Sequence, residues 1–335
     1  MASRSILFIQ TAFLGDVVLA TAALEAWHAA HPEDAVDVLV RQPMEALFEG
    51  HPFVRHVHAW DKRPRTKGRD WRRLIRAIRK KRYDVVVNLH RHASSGVLTA
   101  LSMAPVRLGY ANNPLAWRFT HRKVHQWGDG THEVERHMML LSELLDNPQG
   151  EPSLYPGPEH RSEATKFAAD QSVVVMPGSQ WATKAWPEGQ FSSLLDQTDG
   201  PVLLMGAPGE RALCERLAKG RPMVSSAAGE LSLLGVAAAI GMAKAVVVND
   251  SAPMHMASAM DAPTVALFAS TVPRFGFGPR STRHVVLETP NDMACRPCGV
   301  HGRKRCPEGH FLCGWDLSVA RVHQALLKVQ FGDAV

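Results

Sequence analysis

No stretch of about 18 uninterrupted apolar residues occurs in the 335-residue sequence, so nothing in it reads as a membrane-spanning helix. The most apolar internal run, LSLLGVAAAIGMAKAVVV, carries Lys244 and two glycines, and reads as a helix followed by a strand. A secretion signal is not expected either. Arg4 precedes an apolar run and LATAA resembles a small-residue cleavage site, but Asp16 interrupts the run and does not belong in such a segment. The expectation is a cytoplasmic protein. The fingerprint G-x-G-x-x-G follows neither the first strand nor the later run PVLLMGAPGERALCERLA, which argues against a nicotinamide or flavin oxidoreductase. Cysteine is scarce, at five residues, and disulfides are not expected in that compartment. Acids are nearly absent from Lys62 to Tyr83, where twelve Lys and Arg face one Asp. Since the whole chain carries only +6, the rest is net negative, and the pI near 9.2 describes one patch. What is present, 45% hydrophobic and 21% charged residues, is the composition of a globular protein with substantial cores.

Short β-branched runs alternate with helical patterns along the chain: SILFIQ, VDVLV and DVVVNLH, then SVVVMPGS, PVLLMGAPG, AVVVND and TVALFAST. Continuous apolar strands are expected where helices cover both faces of a parallel sheet. The class read from this rhythm is doubly wound α/β, with ligands outside the C-terminal strand edges. The stretch NPQGEPSLYPGPEH, with four prolines and two glycines, reads as a linker. It divides the chain into residues 1–150, residues 151–315 and a terminal helix, 316–335, expected to pack back on the first domain.

Three turns carry chemistry. After the first strand, QTAFLGDVVLATAAL places Asp16 at a helix start, where an acid is either a cap or a carboxylate facing a ligand. A carboxylate near a helix N-terminus is expected to be acidic. In SVVVMPGSQWATKAWPEGQF, Ser179 and Lys184 lie on the loop between a strand and a helix opened by Pro187. In VVVNDSAPMHMASAMDAPTVALFAST, an acid, a hydroxyl and a histidine fall within six residues of one turn. The backbone N–H groups at Ser251 and Ala252 point out of a helix N-terminus, a ready anion site.

Taken together, LGDVVLATAAL, PGSxxxxKxWP, GxxGE and NDSAPMHMASAMDAPTVALF resemble glycosyltransferase family 9, the lipopolysaccharide heptosyltransferases, over most of the chain. The tail CRPCGVHGRKRCPEGHFLCGWDLSVARV is similar to tails of the heptosyltransferase II branch. The resemblance implies a GT-B fold, two Rossmann-like doubly wound domains facing across a cleft, with the acceptor side first and the nucleotide-sugar side second. It implies inverting transfer of heptose from ADP-L-glycero-D-manno-heptose to the lipopolysaccharide inner core, with no cofactor required. By the same resemblance Asp16 is the general base and Lys184 meets the donor diphosphate. Ser179 sits on the phosphate side, Glu210 meets the ribose, and Leu231 flanks the adenine. Asp250, Ser251, Ala252 and His255 form the diphosphate loop. The family's usual glycines are replaced by Ala252 and Ala269, where glycine would serve positive φ or close phosphate approach. Two other readings stay open: a nucleotide-sugar-binding relative that has lost catalysis, and another GT-B chemistry on a different nucleotide-sugar.

In RDWRRLIRAIRKKR the residues Trp71, Leu74, Ile75 and Ile78 form one helical stripe, predicted to dock on the first sheet. Arg72, Arg73, Arg76, Arg79 and Lys80 would then meet the lipid A–core acceptor or the anionic inner face of the cytoplasmic membrane. Nucleic acid is not expected, because no base-reading or aromatic-platform motif accompanies the charge. Cys214 reads as core. Cys295, Cys298, Cys306 and Cys313, spaced C-x2-C-x7-C-x6-C, are compatible with a closed structural zinc site or with reduced thiols.

Overall fold

The computed structural model describes residues 3–63 and 67–332, arranged as two compact units, Met1–Tyr155 and Pro156–Val335. The first holds a six-stranded, all-parallel sheet. Its strands are β1 (Ser5–Gln10), β2 (Ala35–Arg41), β3 (Val54–Trp60), β4 (Val85–Asn88), β5 (Val106–Tyr110) and β6 (His121–Lys123), in the order β3-β2-β1-β4-β5-β6. Helices α1 (Leu14–Ala30), α2 (Lys67–Lys81), α3 (Ala93–Leu101) and α4 (Glu133–Leu141) cover it. Successive side chains of β1 serve opposite faces, as strand geometry requires. Phe8 meets Trp27 of α1 edge-on at 6.1 Å, while Leu7 and Ile9 join Leu74 and Ile78 of α2 in a core cluster. The predicted stripe of α2 therefore docks as expected, Trp71 and Ile75 completing it.

The second unit repeats the plan with β7 (Val173–Met176), β8 (Val202–Leu204), β9 (Val224–Ser226), β10 (Ala245–Asn249), β11 (Thr264–Phe268) and β12 (His284–Glu288), ordered β12-β11-β10-β7-β8-β9. Strands β7, β8, β10 and β11 are buried along their whole length, which is why they read as unbroken apolar runs. Its helices are α5 (Pro158–Thr165), α6 (Glu188–Gln197), α7 (Arg211–Ala218), α8 (Leu233–Met242), α9 (Ala252–Ala259), α10 (Leu312–Trp315) and α11 (Val319–Phe331). Cys214 is buried in this core, as read.

Two boundary expectations are corrected. The units divide after Tyr155 rather than at residue 150, because the proline-rich stretch is tied to α1: Ser153 N–H donates to Thr21 Oγ1 at 2.9 Å and Tyr155 Oη to Glu25 Oε1 at 2.9 Å. The terminal helix packs on the second unit, of which it is part. Val322, Ala325, Leu326 and Val329 form an i, i+3, i+4, i+7 stripe that closes over α6 and strands β10 to β12. Trp186 Nε1 donates to Leu317 O at 2.8 Å just before it. Among the described residues no helix is long and apolar enough to cross a membrane.

Candidate active site

In both sheets the connections reverse direction at one pair of neighbouring strands, β1 and β4 in the first unit, β7 and β10 in the second. Loops leaving the carboxyl ends of such a pair part to opposite faces and open a crevice between them. In the first unit these loops carry Thr11 to Phe13 and His90 to His92. Thr11 Oγ1 and His90 Nδ1 lie 2.9 Å apart, and Lys62 Nζ donates to Thr11 O at 2.7 Å. Burial, followed by His92, Lys62 and Arg91, pushes His90 down to about 3, so its ring is neutral at physiological pH.

Asp16 sits in the first turn of α1 beside this crevice, part-buried, and accepts a hydrogen bond from Phe13 N–H at 3.2 Å. It is three residues into the helix, so it closes the turn backwards on Phe13 and is not itself the cap residue. It is also not acidic, contrary to the expectation from its helix N-terminus. Burial first, then the Glu133 carboxylate, push its pKa up to about 6, outweighing the Phe13 N–H, its own N–H and Arg91. Glu133 opens α4, which packs alongside α1. Burial would raise Glu133, but the His125 hydrogen bond (2.9 Å), the nearby His137 and the Arg136 guanidinium (3.0 Å) hold it down at about 2. Arg91 and Arg136 both lie over the Trp127 ring, at 4.5 and 5.6 Å. None of Glu133, His125, Arg136, Arg91 or Trp127 was singled out from sequence. The available signal was NLHRH directly after a buried strand, at the point where the connections reverse.

In the second unit, the residue that assembles the crevice was also missed. Asn249, fully buried at the end of β10, accepts from Trp186 N–H at 2.9 Å and donates to Pro177 O and Gly178 O at 3.0 and 3.1 Å. It thereby fixes the loop that bears Ser179 against β10. Lys184, expected to meet a diphosphate, is engaged by the protein itself: its Nζ lies 2.7 Å from Asp250 Oδ2, with both side chains largely buried. Thr271 Oγ1 donates to the same carboxylate oxygen at 2.6 Å. An incoming anion would share the ammonium with Asp250, whose compensating charge is what makes the buried lysine tolerable without one.

Ser179 is part-buried, and its Oγ accepts from Trp181 N–H at 3.4 Å. The Glu210 carboxylate accepts from Ala207 N–H at 2.8 Å and lies against Gly178 and Gly206, where any Cβ would collide with it. At both glycines the close neighbour is the Glu210 side chain, so a larger residue would displace the carboxylate from this position. Leu231 is part-buried just before Ser232, the N-cap of α8. Ser251 is the extended N-cap of α9, Ala252 its first helical residue, and His255 is buried 6.2 Å from the Phe277 ring. Neither Ala252 nor Ala269 has positive φ, so alanine there carries no backbone strain.

Of the cations on α2, Arg72, Arg73, Arg76, Arg79 and Lys80 are exposed. Arg73 pairs with Asp70 at 2.7 Å and Arg79 donates to Leu101 O at 2.9 Å, which leaves Arg72, Arg76 and Lys80 as the outward charges of this face. Residues 64–66 of the basic segment lie outside the described residues. Cys295, Cys298, Cys306 and Cys313 are free thiols, close enough that burial and their neighbours' thiolates raise Cys298, and push Cys313 up to about 11. Among the described residues, no three His, Cys, Asp or Glu converge in a group that would hold a metal ion.

The family model described as glycosyltransferase family 9 (heptosyltransferase) matches residues 71–306. Lipopolysaccharide heptosyltransferase 1 of Pseudomonas aeruginosa is 30% identical over 88% of this chain and 85% of its own length. Among solved structures, a family 9 glycosyltransferase of Veillonella parvula superposes with a TM-score of 0.85 at 22% identity, covering 98% of both chains. The ADP-heptose lipopolysaccharide heptosyltransferase II of E. coli superposes with a TM-score of 0.81 at 21% identity, covering 99% of this chain and all of that one. Both share the architecture of two parallel six-stranded sheets, the GT-B fold. Doubly wound sheets, crevices built where the motifs lie and a match over most of the sequence converge on one assignment: the chain belongs to glycosyltransferase family 9, the heptosyltransferase family, and is a glycosyltransferase.

Proposed function

We propose that this chain is an inverting heptosyltransferase that moves heptose from ADP-L-glycero-D-manno-heptose to the inner core of lipopolysaccharide. The observation that carries the reading is Asp16: a carboxylate at the first crevice with its pKa raised to about 6. Such a group is ionised at neutral pH and is a better base than an ordinary carboxylate. In the step, an acceptor hydroxyl oxygen bonds to the anomeric carbon while the bond from that carbon to the diphosphate oxygen breaks. The hydroxyl proton passes to Asp16, and ADP leaves with the electron pair. Lys184 and the N–H groups at the start of α9 meet charge accumulating on the diphosphate, the preorganised electrostatic contribution that often dominates catalysis. Glu210, Leu231 and Ser179 hold the nucleoside and phosphate side, with Asp250, Ser251, Ala252 and His255 completing the diphosphate loop. Support for the donor and acceptor comes from the relatives, named as lipopolysaccharide heptosyltransferases and, for one solved structure, as an ADP-heptose enzyme. The relatives matched bear the numbers 1, 2 and 3, so the reading is placed at the family and not in one branch.

The test is ADP release coupled to a mass increase in lipid A–Kdo acceptors truncated before and after the first heptose. Asp16→Asn should bind ADP like the parent and lose most turnover; full activity in that variant rules out the proposed base. A non-catalytic nucleotide-sugar-binding relative would release no ADP in either protein. Its sequence support, Ala252 and Ala269, is weakened by their unstrained backbone.

A further inference from the structure

The cysteine-bearing segment after β12 has no part in the chemistry above, yet its backbone is stitched to the residue next to Lys184. Thr183 N–H donates to Arg303 O at 3.1 Å, and Thr183 Oγ1 accepts from Arg303 N–H at 2.7 Å while donating to Arg303 O at 3.1 Å. Ser270 Oγ donates to the same Thr183 oxygen at 3.0 Å, and Cys298 N–H donates to Ser270 O at 3.0 Å. Arg303 Nε closes the loop on Cys298 O at 3.0 Å. Thr183 is buried, so these are bonds that water does not replace. Within this loop Gly302, at φ +73°, passes so close to Lys184 that a Cβ would stand 2.9 Å from its Cγ. The lysine stem is thus confined by Gly302 and its head by Asp250, which Thr271 holds from the residue beside Ser270.

We infer that the 298–303 loop is a positioning element for Lys184, acting through Thr183 and Gly302, and that it raises affinity for a nucleoside diphosphate. A lysine has four rotatable bonds, and a free side chain gives up much of its rotamer entropy when it grips a ligand. Here the loop has already ordered the stem before any anion arrives. The inference rests on the reading that Lys184 meets the donor diphosphate.

ADP titration by calorimetry on the full chain tests it, with four single variants and one double. Thr183→Val removes the hydroxyl and should weaken ADP binding about tenfold, the scale of one displaced charge-assisted contact. Thr183→Ser keeps the hydroxyl and should bind like the parent. Gly302→Ala aims a methyl at the lysine stem and, 3.2 Å from Thr183 Oγ1 and 3.3 Å from Ser270 Oγ, crowds the Thr183 bonds as well, at a φ of +73° that strains alanine; it should also weaken binding. Lys184→Met should weaken it too, and adding Thr183→Val to Lys184→Met should cost nothing more, because the loop acts through the lysine. Normal ADP binding by Thr183→Val and Gly302→Ala, beside weak binding by Lys184→Met, overturns the inference and leaves the role of Lys184 standing. Additive losses in the double variant overturn it as well. Normal binding by Lys184→Met would instead refute the underlying role of the lysine.

Discussion

Asp16 concentrates the residue-scale lesson. The motif LGD marked it, but its chemistry depends on burial first and then on Glu133, far away in sequence and opening a different helix. Because Glu133 is held at about 2, it stays negative across the working range and disfavours a second negative charge on Asp16. Asp16 is protonated below a pH of about 6 and ionised above it, so kcat/KM should fall on the acid side with a midpoint near 6. Glu133→Gln removes the like charge, and the acid limb should then move to lower pH. A pH–rate profile decides this; an unmoved midpoint would show that burial alone sets the base. The lysine of the Lys-x-Trp-Pro motif teaches the converse. Its identity was readable, but its partner in the structure, Asp250, could not be inferred from two residues on separate loops.

At the scale of elements, periodicity carried most of the information. The α2 stripe was legible because four apolar side chains at helical spacing have only one face to bury. The stripe of α11 is as regular, yet its destination was misread, since periodicity says that a face is buried and not against what. Leu326→Ala should cost about 2–5 kcal/mol in the unfolding of the second unit, measured by denaturant melts, as expected for emptying a fully packed site. A helix docked elsewhere would make the substitution nearly neutral. The cysteine spacing is the opposite case: a sequence pattern permissive of zinc or of reduced thiols, with no metal-holding group among the described residues. Elemental analysis of protein purified without added metal decides between the two: stoichiometric zinc would establish the structural site, and no bound zinc would leave reduced thiols.

For the whole molecule the governing feature is uneven charge. A net +6 is produced by one helix and its flanks, while the remainder is negative. We propose that Arg72, Arg76 and Lys80 draw this face of α2 to anionic lipid or to a phosphorylated acceptor, each cation near such a surface contributing roughly 1 kcal/mol. Reversing all three to Glu should abolish co-sedimentation with anionic vesicles at low salt, and high salt should do the same to the parent protein. Binding that survives charge reversal removes the idea. Neutral vesicles are the control, because no described helix could insert across them.

The amino-acid sequence by itself determined that there are two doubly wound units and where each candidate motif falls in them. Those properties follow from local periodicity and from turns whose residue types are dictated over a few positions. Only the tertiary structure decided where the units divide, which unit receives the last helix, that Lys184 pairs with Asp250, and that burial and then Glu133 raise the pKa of Asp16. Each of these is a through-space interaction between residues distant along the chain, and electrostatic energy depends on their separation and burial rather than on their order.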